Sequence, residues 1–87
     1  MTNKQVSNAF VSGKSAKSSN GNLWVSWDGK RLFNYETCIA QRLQDGTFVV
    51  NSTKYSVSTS KIQTYVRYTI GNYKEVFGKP RGTSYLV

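Results

Sequence analysis

Residues 34–63 read NYETCIAQRLQDGTFVVNSTKYSVSTSKIQ, and this stretch decides the fold because it holds a hairpin signal followed by a helix start. Asp45-Gly46 lies between two strand-like runs, and such a pair tolerates the positive φ angles of a tight hairpin turn. A two-residue loop at this point pairs Leu43 with Phe48 and Gln41 with Val50. Because side chains alternate along a strand, this register assigns each residue to one face of the sheet. The predicted inward set is Ile39, Leu43, Phe48 and Val50, and the opposite set is Cys38, Ala40, Arg42, Val49 and Asn51.

An earlier hairpin is predicted in NLWVSWDGKRLFNY (residues 22–35), with its turn at Asp28-Gly29. A two-residue loop of type I′ pairs Val25 with Leu32 and Trp24 with Phe33. One face then carries Trp24, Ser26, Arg31, Phe33 and Tyr35, and the other carries Leu23, Val25, Trp27, Lys30, Leu32 and Asn34. The two hairpins together predict a four-stranded antiparallel meander, which needs a second layer over one of its faces.

The second layer is predicted to be a helix in STSKIQTYVRYTIGNY (residues 58–73). Ser58, Thr59 or Ser60 is a suitable N-cap, and Gly71 is a suitable C-cap. Apolar residues recur at helical spacing, and they are Ile62, Tyr65, Val66, Ile70 and Tyr73. The alternative is a fifth strand, because TYVRYTI is rich in β-branched and aromatic residues. We favour the helix, so the predicted fold class is α+β: a four-stranded antiparallel meander packed against one helix in the C-terminal half.

A change of composition along the chain sets the predicted domain bounds. Residues 1–20 are rich in Ser, Asn and Lys and are predicted to be a flexible basic arm, within which Phe10 can anchor a weak helical turn or an added strand. Residues 21–78 are predicted to form a single small α+β domain. Residues 79–87 are predicted to be a tail, because Pro80 and the neighbouring glycines suit an edge strand or a loose segment.

Charge and residue usage limit the classes of function. The 87 residues hold 12 Lys and Arg against 4 Asp and Glu, a formal net charge of +8 that favours a polyanionic partner such as nucleic acid. There is no histidine, and the single Cys38 excludes an intramolecular disulfide and suits a reducing cytosol. The few carboxylates are isolated in the sequence. We therefore predict no enzyme, no catalytic residues, no metal and no cofactor, and the lack of a long apolar run predicts no membrane partner.

Three groups of residues are candidates for nucleic-acid binding, and each has a simpler alternative reading. The rings on the first hairpin, with Arg31 beside them, form a stacking platform unless they are the core beneath the helix. The lysines around the helix N-terminus bind phosphate unless the nearby hydroxyls serve only as caps. The outer helix face contacts a nucleic-acid backbone unless it is an ordinary solvated face. The candidate residues are Trp24, Arg31, Phe33, Tyr35, Lys54, Lys61, Arg67 and Tyr68.

The motif NYxTxIA, followed by a short DG hairpin and NxTKYSxSTSKxQ, resembles a group of small uncharacterised proteins of tailed phages, prophages and archaeal viruses. The motif covers about a third of the chain, from Asn34 to Gln63. In the related pattern the residue before the final Gln is often His, whereas this chain has Ile62. The resemblance implies a viral accessory protein that acts in the host cytoplasm. It leaves three hypotheses open: a nucleic-acid-binding protein, a protein that binds and inhibits or redirects a host protein such as a defence nuclease or the transcription machinery, and a homo-oligomeric structural component.

Overall fold

The computed structural model describes residues 1–77 and residue 86 of the chain. Two helices and six strands follow one another along it. In chain order they are α1 (Asn3–Val11), β1 (Ala16–Lys17), β2 (Leu23–Val25), β3 (Arg31–Asn34), β4 (Thr37–Arg42), β5 (Phe48–Asn51), α2 (Val57–Ile70) and β6 (Lys74–Val76). The predicted tail, residues 79–87, lies outside the described residues except for Leu86.

The strands form one six-stranded sheet in the sequential order β1 to β6. Neighbouring strands are antiparallel as far as β5, and β6 then joins β5 in parallel. Parallel neighbours need a crossover connection, and α2 supplies it. The predicted α+β class is confirmed, and the predicted four-stranded meander is present as β2 to β5. The sheet is larger than predicted and mixed, and two helices pack on it rather than one.

Helix α1 occupies the region that the sequence analysis assigned to a flexible arm. Its N-cap is Thr2, whose hydroxyl accepts from the Gln5 backbone N–H at 3.2 Å while the Gln5 side chain accepts from the Thr2 N–H at 2.9 Å. This reciprocal pair is a capping box, and the sequence TNKQ already carried its signature. Val6 and Phe10 lie fully buried in the core. The arm prediction was wrong for this helix because two apolar residues one turn apart gain enough burial to order it.

The main core lies between the sheet and the two helices. It contains buried side chains from α1, α2 and the first three strands of the meander, β2 to β4, and these are Val6, Phe10, Leu23, Val25, Leu32, Ile39, Ala40 and Val66. Phe10 meets the ring of Phe48 edge to face, with centroids 5.6 Å apart. A smaller cluster lies on the opposite side of the sheet and contains Phe33, Cys38, Val49 and Leu86. Both faces of this small sheet are therefore apolar near its centre.

The first hairpin has the predicted register, with Trp24 opposite Phe33 and Val25 opposite Leu32. Its turn is different. The pair Ser26 and Arg31 closes a four-residue loop, and the Gly29 N–H donates to the Ser26 carbonyl at 2.9 Å. Gly29 has a φ of 74° but Asp28 does not have a positive φ, so the turn is not type I′. Trp27 consequently lies in the turn rather than on the predicted strand face, the one that carries Leu23 and Val25.

The second hairpin is shifted by one residue from the predicted register. Leu43 and Thr47 close a three-residue loop, with Gly46 at a φ of 88°. This is a type I turn followed by a left-handed residue, which is the next most common hairpin loop after the two-residue one. Arg42 therefore pairs with Phe48, and Ala40 pairs with Val50.

The shifted register changes which side chains face the helices. Ala40 belongs to the main core, whereas Leu43 packs against the smaller cluster on the other side, so both assignments were wrong. An irregularity in the β3–β4 register between Leu32 and Phe33 adds a second departure, because it lets Ile39 and Ala40 both reach the main core. Ile39, Cys38, Phe48 and Val49 lie on the predicted sides.

Helix α2 confirms the helical reading of the C-terminal half and excludes the fifth strand there. It begins after Ser56, two residues before the first predicted cap, and ends at Gly71 as predicted. Among the described residues no helix combines the length and the apolar character needed to span a membrane.

The packing of α1 predicts the effect of Phe10→Ala. Truncation of this fully buried ring leaves a cavity next to Phe48 and should lower the free energy of unfolding by about 3–5 kcal/mol. Urea denaturation measures this value. Asn8→Ala, at an exposed position of the same helix, is the matched control and should change it by less than about 0.5 kcal/mol. Equal stability of the two variants would mean that α1 is not part of the folded unit.

Candidate functional site

The motif in residues 34–63 forms a buried polar network that ties α2 to the sheet. The Thr59 hydroxyl donates to the Asn34 side-chain oxygen at 2.8 Å, and the Asn34 amide donates to the Asn22 carbonyl at 3.0 Å. Thr59 is in the first turn of α2 and Asn34 ends β3, and both side chains are buried. A buried polar group without a partner costs about 1–3 kcal/mol, so each of these residues requires the other.

Gln63 makes a second connection, one turn further along α2. Its amide donates to the Asn51 carbonyl at 2.7 Å and to the Thr53 carbonyl at 3.0 Å. The Asn51 amide in turn donates to the Cys38 carbonyl at 3.2 Å and to the Tyr55 hydroxyl oxygen at 2.9 Å. The motif thus specifies how the loop between β5 and α2 is folded and where α2 lies on the sheet.

The hydroxyls around the start of α2 are used within the protein. The Ser56 side chain accepts from the Thr59 N–H at 3.2 Å and donates to the Thr59 hydroxyl oxygen at 3.1 Å. This arrangement is N-capping, the simpler of the two readings of this segment. Lys54 and Lys61 are exposed beside it and line a shallow groove together with Tyr55, Val57, Ser60 and Thr64.

Trp24 and Phe33 lie on the sheet face opposite the helices. Their rings are stacked, with centroids 4.2 Å apart and planes 12° from parallel. The helices cover Leu23, Val25 and Leu32 instead, so the rings are not the core beneath the helix. Phe33 is nevertheless only 8% exposed, because it belongs to the smaller cluster with Leu86. Trp24 is partly exposed, and its indole N–H donates to the Tyr35 carbonyl at 3.0 Å.

The remaining members of the predicted platform are only loosely associated with those rings. Tyr35 has a φ of 56° in the β3–β4 turn and is 50% exposed. Arg31 lies 3.6 Å from the Asp28 carboxylate, so its charge is partly balanced. The Ser26 hydroxyl, the Lys30 N–H and the Arg31 charge all lower the pKa of Asp28, which keeps this carboxylate ionised. Of the three predicted rings the platform therefore offers two that are accessible, Trp24 and Tyr35, together with a compensated cation.

The outer face of α2 presents the other predicted residues to solvent. Tyr68 is 88% exposed, and Lys61 and Thr64 are exposed on the same stripe of the helix. Arg67 lies beside this stripe, and its guanidinium donates to the Thr64 hydroxyl at 3.3 Å. Since Val66 faces the sheet, this stripe points away from it. The structure therefore separates the eight candidates into two surfaces on opposite sides of the molecule.

The acidic residues lie outside the helices. The four carboxylates of the chain are Asp28, Glu36, Asp45 and Glu75, in hairpin turns and on the edge strand β6. Neither helix contains an acidic residue. The groove and the outer stripe of α2 are thus cationic without an acidic residue on the same helix.

Cys38 is buried in the smaller cluster. Burial raises the pKa of its thiol to about 12, and the neighbouring Arg31 charge offsets this only in part. Its Sγ lies 3.4 Å from the Ala40 carbonyl oxygen, to which the thiol donates. Within residues 1–77 and at residue 86, no three His, Cys, Asp or Glu side chains are grouped so that they could hold a metal ion.

The sequence analysis missed two exposed residues near the first hairpin. Trp27 was assigned to a strand face and is 91% exposed in the turn. Lys17 was assigned to the arm and is the exposed cross-strand neighbour of Trp24. The signal for Lys17 was weak, because β1 has two residues and an ordinary composition.

Comparison with protein-family models, curated proteins and solved structures finds no match to this chain.

The network predicts that Thr59→Val destabilises the protein although it nearly preserves side-chain volume. Valine leaves the Asn34 oxygen without its donor, and the free energy of unfolding should fall by about 1–3 kcal/mol in urea denaturation. Ser58→Ala changes an exposed residue of the same motif and should have an effect below about 0.5 kcal/mol. If both variants were as stable as the wild type, the motif would have a role other than positioning α2.

The buried thiol predicts slow alkylation of Cys38 in the folded protein. With a pKa of about 12 against an ordinary 9.0, the thiolate fraction at pH 8 falls roughly a thousandfold. Iodoacetamide labelling followed by mass spectrometry should show this difference between native and urea-unfolded protein. As the pH rises, the Cys38 thiol ionises in the unfolded protein before it ionises in the folded protein. Its contribution to the free energy of unfolding is therefore fully present below pH 9 and is lost as the pH approaches 12. Comparable labelling rates in the two states would contradict the burial.

Proposed function

We propose that this protein is a small non-enzymatic accessory protein that binds nucleic acid through the outer face of α2. The resemblance of residues 34–63 to small viral proteins supports a viral origin, with the host cytoplasm as the place of action. The proposal places Lys54, Lys61 and Arg67 against phosphates. Tyr68 lies beside them, and its hydroxyl can donate a hydrogen bond to the same backbone.

The observation that carries this proposal is the separation of charge on the molecule. Lys54 in the loop before α2 and Lys61 on α2 are exposed and Arg67 is half-buried, while the acidic residues are in turns and on an edge strand. Phosphate binding releases counterions from the nucleic acid, and this contribution does not depend on base sequence. A cationic helix face without acidic residues attracts such a polyanion.

The ring platform contributes less to this proposal than the sequence suggested. Phe33 is too buried to stack on a base, and the outer ring face available at this position is that of Trp24. Lys17 lies next to it across the β1–β2 pair. We therefore place the main phosphate contacts on α2 and regard the Trp24 side as a secondary surface.

The second candidate function is binding of a host protein. It is favoured by four aromatic rings that are exposed to solvent among the described residues, those of Trp27, Tyr35, Tyr68 and Phe77. Aromatic residues are frequent in the centre of protein interfaces, where they contribute most of the binding energy. A pull-down from host lysate with nuclease added separates the two functions, because a protein partner survives digestion of nucleic acid.

The proposal predicts salt-dependent binding that depends on α2. Fluorescence anisotropy with single-stranded and duplex oligonucleotides should detect binding at 50 mM salt and weaker binding at 200 mM. The variant Lys54→Gln/Lys61→Gln should lose at least about tenfold in affinity at 50 mM salt and about 1.4–1.8 units of slope in log K against log salt, since each of the two phosphate contacts contributes about 0.7–0.9.

The matched control is Lys4→Gln/Lys74→Gln, which removes the same charge from exposed positions outside α2 and the loop before it. It should keep most of the salt slope. Equal losses in the two variants would indicate attraction by net charge alone and would refute the α2 site. Failure of the wild type to bind either oligonucleotide at 50 mM salt would refute nucleic-acid binding altogether.

A further inference from the structure

Trp27 is a large residue that the proposed phosphate contacts do not use, and it is the most exposed of the large apolar side chains in the described part of the chain. Its side chain is 91% exposed at the tip of the β2–β3 hairpin. A tryptophan usually buries about 150–250 Å² in a core or an interface. At this position it contributes almost no burial, so the folded monomer does not explain its presence.

The turn that carries Trp27 is held by hydrogen bonds on both sides of it. The Asp28 carboxylate accepts from the Ser26 hydroxyl at 2.6 Å and from the Lys30 N–H at 3.1 Å. The Ser26 hydroxyl oxygen also accepts from the Arg31 N–H at 3.1 Å. These bonds use the side chains before and after Trp27 and leave its own side chain free of such contacts.

The same turn is also packed against two other parts of the protein. The Arg42 guanidinium donates to the Gly29 carbonyl at 3.2 Å. Gly29 lies so close to the carbonyl of Gly13, just after α1, that a Cβ at position 29 would overlap it. Contacts from Gly13, just after α1, and from Arg42 in β4 therefore fix the backbone of the turn that contains Trp27. A rigid backbone lowers the entropy that is lost when an exposed side chain binds a partner.

The charges near this turn are mainly positive. Lys30 is exposed within the turn, and Lys14 is exposed next to Gly13, on which the turn rests. Arg42 adds a third cation at Gly29, and Asp28 is paired with Arg31. An exposed indole ring beside lysines matches the chemistry of single-stranded nucleic acid, in which unpaired bases stack on aromatic rings while lysines contact the phosphates.

We propose that Trp27 stacks on an unpaired base of single-stranded nucleic acid, with Lys14 and Lys30 on the adjoining phosphates. This inference rests on the proposed function and adds to it a preference for unpaired strands. Phosphate contacts on α2 give affinity for any nucleic acid, whereas a ring at a hairpin tip reaches a base only where the base is not stacked in a duplex.

The test compares Trp27→Ala, Trp27→Phe and the wild type on a twelve-nucleotide single strand and on the corresponding duplex. Loss of one stacked base should weaken binding to the single strand between about fivefold and a hundredfold. Phenylalanine should restore part of the affinity, and duplex binding and the salt slope should not change. Phe77→Ala removes another exposed ring and is the matched control, with wild-type affinity expected.

Intrinsic fluorescence gives a second readout, because the chain has two tryptophans. Single-stranded oligonucleotide should quench the emission of Trp24→Phe, in which Trp27 is the remaining tryptophan, much more strongly than that of Trp27→Phe. Urea midpoints equal to that of the wild type verify that Trp27→Ala and Phe77→Ala remain folded.

The outcomes separate this inference from the proposed function. Wild-type binding that Trp27→Ala leaves unchanged overturns the inference and leaves nucleic-acid binding in place, whereas absence of wild-type binding overturns both. An equal loss on the duplex overturns the assignment to an unpaired base. A wild-type dimer that becomes monomeric in Trp27→Ala places the ring between two copies of the chain and also overturns it.

Discussion

The hydrogen bonds between α2 and the sheet are the constraint on which the rest of the structure depends. Thr59 bonds to Asn34 and Gln63 bonds to the carbonyl of Asn51, so two successive turns of α2 are attached to the ends of β3 and β5. These groups are buried, and a change in the rotation of α2 would leave several of them unpaired. The network therefore determines which face of α2 contacts the core and which face meets solvent.

Attachment of α2 leaves part of the sheet to be covered by α1. A chain of this size buries a modest fraction of its surface. If α2 were the only helix on the sheet, the apolar side chains of β2 and β3 would be exposed to solvent. Val6 and Phe10 fill that space, and Phe10 reaches across to Phe48. The opposite face of the sheet is closed at its centre by Leu86 against Phe33 and Cys38. The Leu86 N–H is held there by the Gln41 side-chain oxygen at 2.7 Å.

In this architecture the residues that can contact a partner lie on parts of the molecule that do not contribute to the core. Lys61 of α2 lies on the face turned away from Val66, and Trp27 lies on a hairpin tip that contacts Gly13 and Arg42. The motif from Asn34 to Gln63 acts mainly through structure, because its most constrained members position α2. Its exposed lysines, Lys54 and Lys61, are the members available for binding.

The sequence by itself determined the local elements: two Asp-Gly reversals, the pairing of Trp24 with Phe33, the helix that ends at Gly71, and the exposed outer stripe with Lys61 and Tyr68. Each of these follows from turn chemistry or periodicity within a short window. Only the tertiary structure decided the rest. The second hairpin has a three-residue loop. A two-residue and a three-residue loop at Asp45-Gly46 differ little in local energy, so packing selects between them. The three-residue loop shifts the register, and Leu43 and Ala40 therefore lie on the faces opposite to those predicted. Helix α1 has few apolar residues and becomes stable only against the sheet. The burial of Phe33 and the exposure of Trp27 depend on neighbours distant in the chain, which no local pattern specifies.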